Sequence, residues 1–350
     1  MIKKILTLIL SIASLLTVFG QEVKSEQVIN DSIITKLNDG PYIFIKDNQL
    51  IEKNIIDGKV VSKKLQNNAY DTIYKPEKSV FNNVMKVAAL SDIHGQYDLA
   101  VEILKNNKII DKDLNWNFGK GHLVIVGDIF DRGPKVNQML WLTYKLEHQA
   151  KAKGGDVHFI FGNHEYMIFL KDFRYVNEKY LAVSKLLNRD YNELYGEDTV
   201  LGRWLRSKPT ILKINDNIYL HGGISEEFLA QVDFDIEAIN NTMRQSNGRS
   251  KEDMKTTDFY KTYYGSTGPI WYRGYFKNDL DDEQISNILK QTNAMHIIVG
   301  HTTHDSIVSL YDNRIFGVDS RIKKGENGEI LFIINNNFSR GTKEGSRIKF

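Results

Sequence analysis

The chain has 350 residues, 46 basic and 44 acidic side chains, a formal net charge of +2, and no cysteine. The missing thiols exclude a disulfide scaffold, Cys-ligated zinc, an iron–sulfur cluster and a catalytic thiol. Any metal must therefore be held by Asp, Glu, His, Asn or backbone oxygen. The near balance of charge gives no general drive toward nucleic acid.

Lys3 and Lys4 precede an almost wholly apolar stretch, Ile5 to Phe19, and Val18-Phe19-Gly20 offers small residues where a signal peptidase reads. This is the layout of an export signal, residues 1–20, cleaved after Gly20. The apolar stretch falls short of the ~20 residues that a spanning helix needs. The expectation is an exported protein, periplasmic or secreted, with no stable membrane anchor. The signal holds two Lys and no acid, so the mature chain carries 44 groups of each sign.

Residues 21–85 are polar, with β-like runs at Tyr42–Ile45, Leu50–Ile56 and Lys59–Ser62. Asp47-Asn48 and Asp57-Gly58 between them are hairpin turn signals. They predict a small N-terminal accessory β element packed on a catalytic domain, 86–350. From Met85 the texture changes. Val87–Leu90, His122–Val126, Val157–Phe161, Ile218–Leu220 and His296–Val299 are short continuous apolar runs, as expected of strands buried on both faces. Pro134 is well placed near a helix start, and Val136, Met139, Leu140, Thr143, Leu146 and Ala150 follow at helical spacing. The alternation argues an α/β sandwich. The Tyr-, Asn- and charge-rich stretches Lys171–Ser207 and Asp233–Gly268 interrupt it and read as insertions near the site mouth.

Each apolar run ends in a residue able to hold a metal: Asp92 and His94, Asp128, Asn163, His221 and His301. Loops at the carboxyl ends of strands are where α/β folds place ligand sites. Gly127, Gly162, Gly222 and Gly300 stand beside them and permit sharp turns. A mixed His/carboxylate set without sulfur suits Zn, Fe or Mn better than Ca or Mg. Singly, each residue has an ordinary explanation, such as an Asp capping a helix. Their joint occurrence at successive strand ends argues for a site.

Asp92-Ile-His94-Gly95, Gly127-Asp128-Ile-Phe-Asp131-Arg132-Gly133, Gly162-Asn163-His164-Glu165, His221-Gly222-Gly223 and Gly300-His301 together resemble the motifs of the calcineurin-like metallophosphoesterases. Asp131-Arg132-Gly133 marks the phosphoprotein phosphatase branch, and Pro269-Ile-Trp271-Tyr-Arg273-Gly274 is similar to the bacterial Shewanella-like phosphatases within it. The resemblance spans Met85 to Asp319. It implies a four-layer α/β/β/α sandwich and two divalent metal ions, Mn, Fe or Zn. Asp92, His94 and Asp128 would hold the first, and a bridging Asp128 with Asn163, His221 and His301 the second. It further implies His164 as general acid with Asp131 on its other ring nitrogen, and Arg132 and Arg273 as phosphate-binding residues. The activity implied is that of a phosphomonoesterase of phosphoprotein phosphatase type, on Ser/Thr or Tyr phosphate, by attack of a metal-bridging hydroxide. Its partners would be phosphorylated proteins, peptides or small phosphomonoesters, and not nucleic acid. Two other readings stand beside it: a dinucleoside polyphosphate hydrolase or phosphodiesterase on the same fold, and a non-catalytic phosphoprotein-binding module. The module is disfavoured because no ligand position is lost.

Overall fold

The computed structural model describes residues 35–277 and 280–350. The export signal expected at 1–20 lies outside them. Among the described residues no helix is long and apolar enough to cross a membrane.

Both hairpin signals form turns. Asp47 and Asn48 take φ of 49° and 59°, and Asp57 and Gly58 take 47° and 72°, the left-handed pairs that tight hairpins require. They join β1 (Asp39–Lys46), β2 (Gln49–Ile56) and β3 (Lys59–Lys64) into an antiparallel sheet. Tyr42, Ile43 and Phe44 of β1 are buried. Trp141 Nε1 donates to Pro41 O at 2.8 Å, and Lys179 pairs with Asp39 at 2.6 Å. The sheet is thus anchored through β1 on the helices Val136–Ala152 and Glu178–Leu187, while β3 is exposed along its length.

The remaining strands are β4 (Val80–Phe81), β5 (Lys86–Leu90), β6 (His122–Val126), β7 (Asp156–Ile160), β8 (Ile211–Ile214), β9 (Asn217–Leu220), β10 (His296–Val299), β11 (Val308–Leu310), β12 (Ile315–Gly317), β13 (Glu329–Ile334), β14 (Asn337–Thr342) and β15 (Arg347–Lys349). They form two six-stranded sheets, ordered β15-β14-β13-β5-β6-β7 and β11-β12-β10-β9-β8-β4. β5, β6 and β7 run parallel, as do β9, β10 and β12. The alternation of side chains along a strand explains the layering. Val87, Ala89, Val124, Val126 and Ile160 of one sheet share a core with Leu212, Ile214, Tyr219, Ile298 and Phe316 of the other. The intervening Ala88, Leu90, Leu123, Ile125, Ile218 and Ile297 face a second, larger core that the helices share. Both faces of the central strands are therefore covered, which is the four-layer α/β/β/α arrangement and accounts for runs that are apolar at every position. The carboxyl-terminal segment, which carries no motif, adds β13, β14 and β15 beside β5.

Lys171–Ser207 is more than an insertion at the mouth. It contains the helices Glu178–Leu187 and Val200–Arg206 and a 3-10 turn at Tyr191–Tyr195. Tyr180, Tyr191, Tyr195 and Trp204 of this stretch are buried core. Behind it lies an internal charge cluster. The fully buried Lys208 ammonium sits 2.5 Å from Glu77 Oε1 and 2.7 Å from Glu147 Oε2, and Trp204 Nε1 donates to Glu147 at 2.8 Å. On the amino-terminal side of β6 and β7, His122 Nδ1 and His158 Nε2 form a hydrogen bond of 2.8 Å against the ring of Phe81.

Candidate active site

The strand ends converge. Asp92 and His94 follow β5, Asp128 follows β6, and Asn163 opens the helix Asn163–Phe169 directly after β7. His221 follows β9 and His301 follows β10, so the two sheets contribute jointly. All six residues are buried. The chain turns sharply at each end, with φ of 53° at Asp92, 45° at His94, 60° at Asp128 and 65° at His301. Non-glycine residues in this region carry local strain that the surrounding packing must hold. Gly127, at φ 82°, has no such latitude, because a Cβ there would stand 2.5 Å from His221 Nδ1 and 2.8 Å from Gly162 Cα.

Backbone groups orient the ligand atoms. His94 Nδ1 donates to Phe130 O at 2.7 Å and His221 Nδ1 to Val126 O at 2.8 Å. A carbonyl only accepts, so each Nδ1 carries a proton and each Nε2 faces the site. His301 N and Ser91 Oγ donate to Asp92 Oδ2 at 2.9 Å and 2.6 Å. His164 N donates to Asp128 Oδ1 at 3.1 Å. The other carboxylate oxygens then point inward. His94 Nε2 lies 3.7 Å from Asp92 Oδ1 and 3.4 Å from Asp128 Oδ2. His221 Nε2 lies 3.1 Å from Asp128 Oδ2 and 3.0 Å from Asn163 Oδ1.

These residues fit metal ions by two tests. His94 Nε2 and His301 Nε2 are buried with no hydrogen-bond partner among the described residues. His94, Asp128 and His164 form one group with ligand atoms within 4.8 Å of one another, and Asp128, His221 and His301 form another. Asp128 belongs to both; His164 rather than Asp92 completes the first group, while Asp92 Oδ1 lies 3.7 Å from His94 Nε2. The electrostatics agree. Burial pushes the Asp128 carboxyl up, but His221, His164 and His94 outweigh it and hold it well below the usual range. Burial acts the same way on Asp92, where the neighbouring His94, His221 and Lys323 prevail and keep it low. Burial opposes charge on His221, yet Asp128 raises it to about 9. A proton on His221 Nε2 thus stands where a cation would. Metal uptake would displace it.

His164 Nδ1 donates to Asp131 Oδ2 at 2.5 Å, as the resemblance implied. Arg273 is half-buried and donates to His301 O at 2.6 Å and Thr302 Oγ1 at 3.2 Å. Arg132 is exposed and rests on the ring of Tyr175 at 5.2 Å. The same ring lies 5.3 Å from His164. Trp271 stands edge-on to His301 at 5.3 Å and separates two clefts. One, of about 120 Å³, is lined by Asn163, Tyr166, Met167, Leu170, Tyr260 and Tyr264, with Asp172, Arg174 and Lys251. The other is lined by Tyr264, Ser266, Arg273 and Lys277. Both interrupting stretches therefore reach the site. Of the remaining histidines, His304 packs on Phe276, and His122 and His158 bond to each other.

Sequence reasoning gave no role to Glu165, Tyr175 or Lys323. Glu165 is buried and accepts from the N–H groups of Asp128 (2.9 Å), Ile129 (2.8 Å), Phe130 (3.2 Å) and Gly162 (2.8 Å). It pins the turn that carries Asp128 to the turn that carries Asn163. Burial and the Asp128 carboxylate push its carboxyl up to about 7, against those four donors. Its place in Gly162-Asn163-His164-Glu165 was the available signal. Tyr175 and Lys323 lie outside every motif.

A family model described as calcineurin-like phosphoesterase matches residues 85–305. The chain is 29% identical over 294 residues to Shewanella-like protein phosphatase 1 of Plasmodium berghei, covering 80% of this chain and 74% of that protein. It is 23% identical over 292 residues to Shewanella-like protein phosphatase 2 of Arabidopsis thaliana, covering 70% and 73%. The cold-active protein-tyrosine phosphatase of a psychrophilic Shewanella species superposes with a TM-score of 0.86 at 40% identity, covering 89% of this chain and 99% of that one.

Proposed function

The chain belongs to the calcineurin-like phosphoesterase family and is a phosphoprotein-phosphatase-like metallophosphoesterase; from that premise we propose that it removes phosphate from phosphorylated proteins or peptides, phosphotyrosine among them. The observation that carries this is one buried carboxylate, Asp128, shared by two ligand groups, with the His164–Asp131 pair beside it.

Asp92, His94 and Asp128 would hold the first cation, and Asp128, Asn163, His221 and His301 the second. Such a pair, when bound, supplies Lewis acidity at the phosphoryl group and an acidified water. The rest is the work of the side chains. Asp131 fixes a proton on His164 Nδ1, so Nε2 is the nitrogen that hands a proton to the leaving oxygen. Arg273, held on the His301 loop, and Arg132, backed by Tyr175, present guanidinium forks that fit phosphate oxygens in pairs. The cleft beside Asn163, with the rings of Tyr166, Tyr260, Tyr264 and Trp271 on its wall, supports an aromatic leaving group. The likeness to a protein named a tyrosine phosphatase supports the same reading.

The test is turnover by the metal-stripped chain reconstituted with Mn, Fe, Zn, Co or Mg. The panel holds phosphotyrosine and phosphoserine peptides, nucleotides, a dinucleoside polyphosphate and a diester. Metal-dependent release of phosphate from the monoesters, fastest from phosphotyrosine, is the expected result. A bis-ester split as fast as the monoesters would replace this reading with a diesterase. No metal-dependent turnover at all would leave a binding module. We also infer export, from Lys3, Lys4 and the apolar stretch after them; amino-terminal sequencing of the extracytoplasmic protein should begin at Gln21, and a retained Met1 would overturn it.

A further inference from the structure

Lys323 stands on the short turn Ile322–Lys324, just after Asp319. Its ammonium lies 2.8 Å from Asp319 Oδ2 and 3.6 Å from Asp92 Oδ1. The Lys323 side chain is 14% exposed and that of Asp319 is 0%. Asp319 is fixed in turn by Thr303 Oγ1, which donates to the same Oδ2 at 2.8 Å, two residues after His301. Asp92 Oδ2 is already taken by Ser91 and His301 N. Asp92 Oδ1 is the oxygen that faces His94 Nε2, so it is the one left for a cation. An ammonium anchored on its own buried carboxylate is therefore aimed at the very oxygen that the first metal needs.

We propose that Lys323 is a resident counter-charge of the first metal position: it holds Asp92 Oδ1 in place, and by repelling the incoming cation it keeps that position weakly bound and exchangeable. The inference rests on the two-cation reading of the site. Its physics is that of like charges in a partly buried setting, where screening by water is weak. A Lys suits the task because its charge sits on a flexible stem that can draw back toward Asp319 when the cation arrives. With the ammonium gone, nothing positive faces Asp92 Oδ1, and the cation is held more tightly.

The experiment titrates the metal-stripped chain with Mn(II), following bound metal by calorimetry and its release to a chelator. Lys323→Gln and Lys323→Met should tighten one of the two binding steps by on the order of tenfold and slow the corresponding release, with the other step little changed. Lys323→Arg keeps the charge and should bind as the parent does. Unchanged or weaker binding in the neutral variants overturns the proposal, and so does equal behaviour of Lys323→Gln and Lys323→Arg. If Lys323→Met does not fold, Lys323→Gln, which can still hydrogen-bond Asp319, decides alone. A parent chain that takes up fewer than two Mn(II) fails the two-cation reading instead, so the two failures are distinct.

Discussion

Replacing Glu165 by Gln tests whether one buried carboxylate holds the site together. In the parent, each Glu165 oxygen accepts two backbone N–H groups: Oε1 from Ile129 and Phe130, Oε2 from Asp128 and Gly162. A Gln amide offers one oxygen and one NH2, so two buried donors face a donor. Each unsatisfied buried group costs about 1–3 kcal/mol, which sums to about 2–6 kcal/mol. That is a large share of the roughly 5–15 kcal/mol by which domains are stable. The damage is local as well, because the freed N–H groups belong to the strained turn at Asp128. Urea unfolding of the metal-free protein should show the loss. Metal analysis of the folded variant should show at least one of two cations missing, or bound on the order of tenfold more weakly. A variant within about 0.5 kcal/mol of the parent, with two cations bound as before, would refute the reasoning.

Asp131→Asn keeps the shape beside His164 but presents an amide in place of the carboxylate; turnover should fall by roughly 10–100-fold, most on alkyl phosphates that need a proton at the leaving oxygen, and an equal loss on aryl and alkyl esters would remove His164 as the acid. Lys208→Met removes the buried cation between Glu77 and Glu147, leaves them only the half-exposed Lys151, and should cost up to about 3–5 kcal/mol in urea unfolding; a variant as stable as the parent would show that the cluster is dispensable. Burial depresses the His122 pKa from 6.5 to about 4 and lowers that of His158. The unfolded chain then takes up protons first, so stability present above about pH 6.5 is lost as pH falls toward 4, by about 3 kcal/mol for His122 alone. Equilibrium unfolding from pH 7 to 4.5 should show that slope, and His122→Leu/His158→Leu should flatten it; a slope unchanged in the double variant would contradict the assignment.

The strands around the site were legible because each is covered on both faces, so burial wrote itself as an unbroken apolar run ending in a polar residue. The hairpins at Asp47-Asn48 and Asp57-Gly58 were legible because left-handed turns demand those residue types. Lys171–Ser207 was hard to read for the opposite reason. Its largest buried side chains include the tyrosines Tyr180, Tyr191 and Tyr195, whose hydroxyls make the stretch look polar although they are as enclosed as Leu205. The candidate ligand set was visible in the motifs, whereas Lys323 was not. Its role depends on distance to a residue far away in the chain, and only Asp319, four positions earlier, hinted at a partner.

His301 N reaches Asp92 across a sequence separation of 209 residues, and the ligands between them come from both sheets. A chain growing from the ribosome exposes Asp92, His94 and Asp128 long before His221 and His301 exist. Until residue 301 has emerged and β10 has docked beside β9, the candidate group of Asp128, His221 and His301 is incomplete. Assembly of the dinuclear centre is thereby tied to near-complete synthesis, and truncated products are left without the shared pair that the chemistry requires.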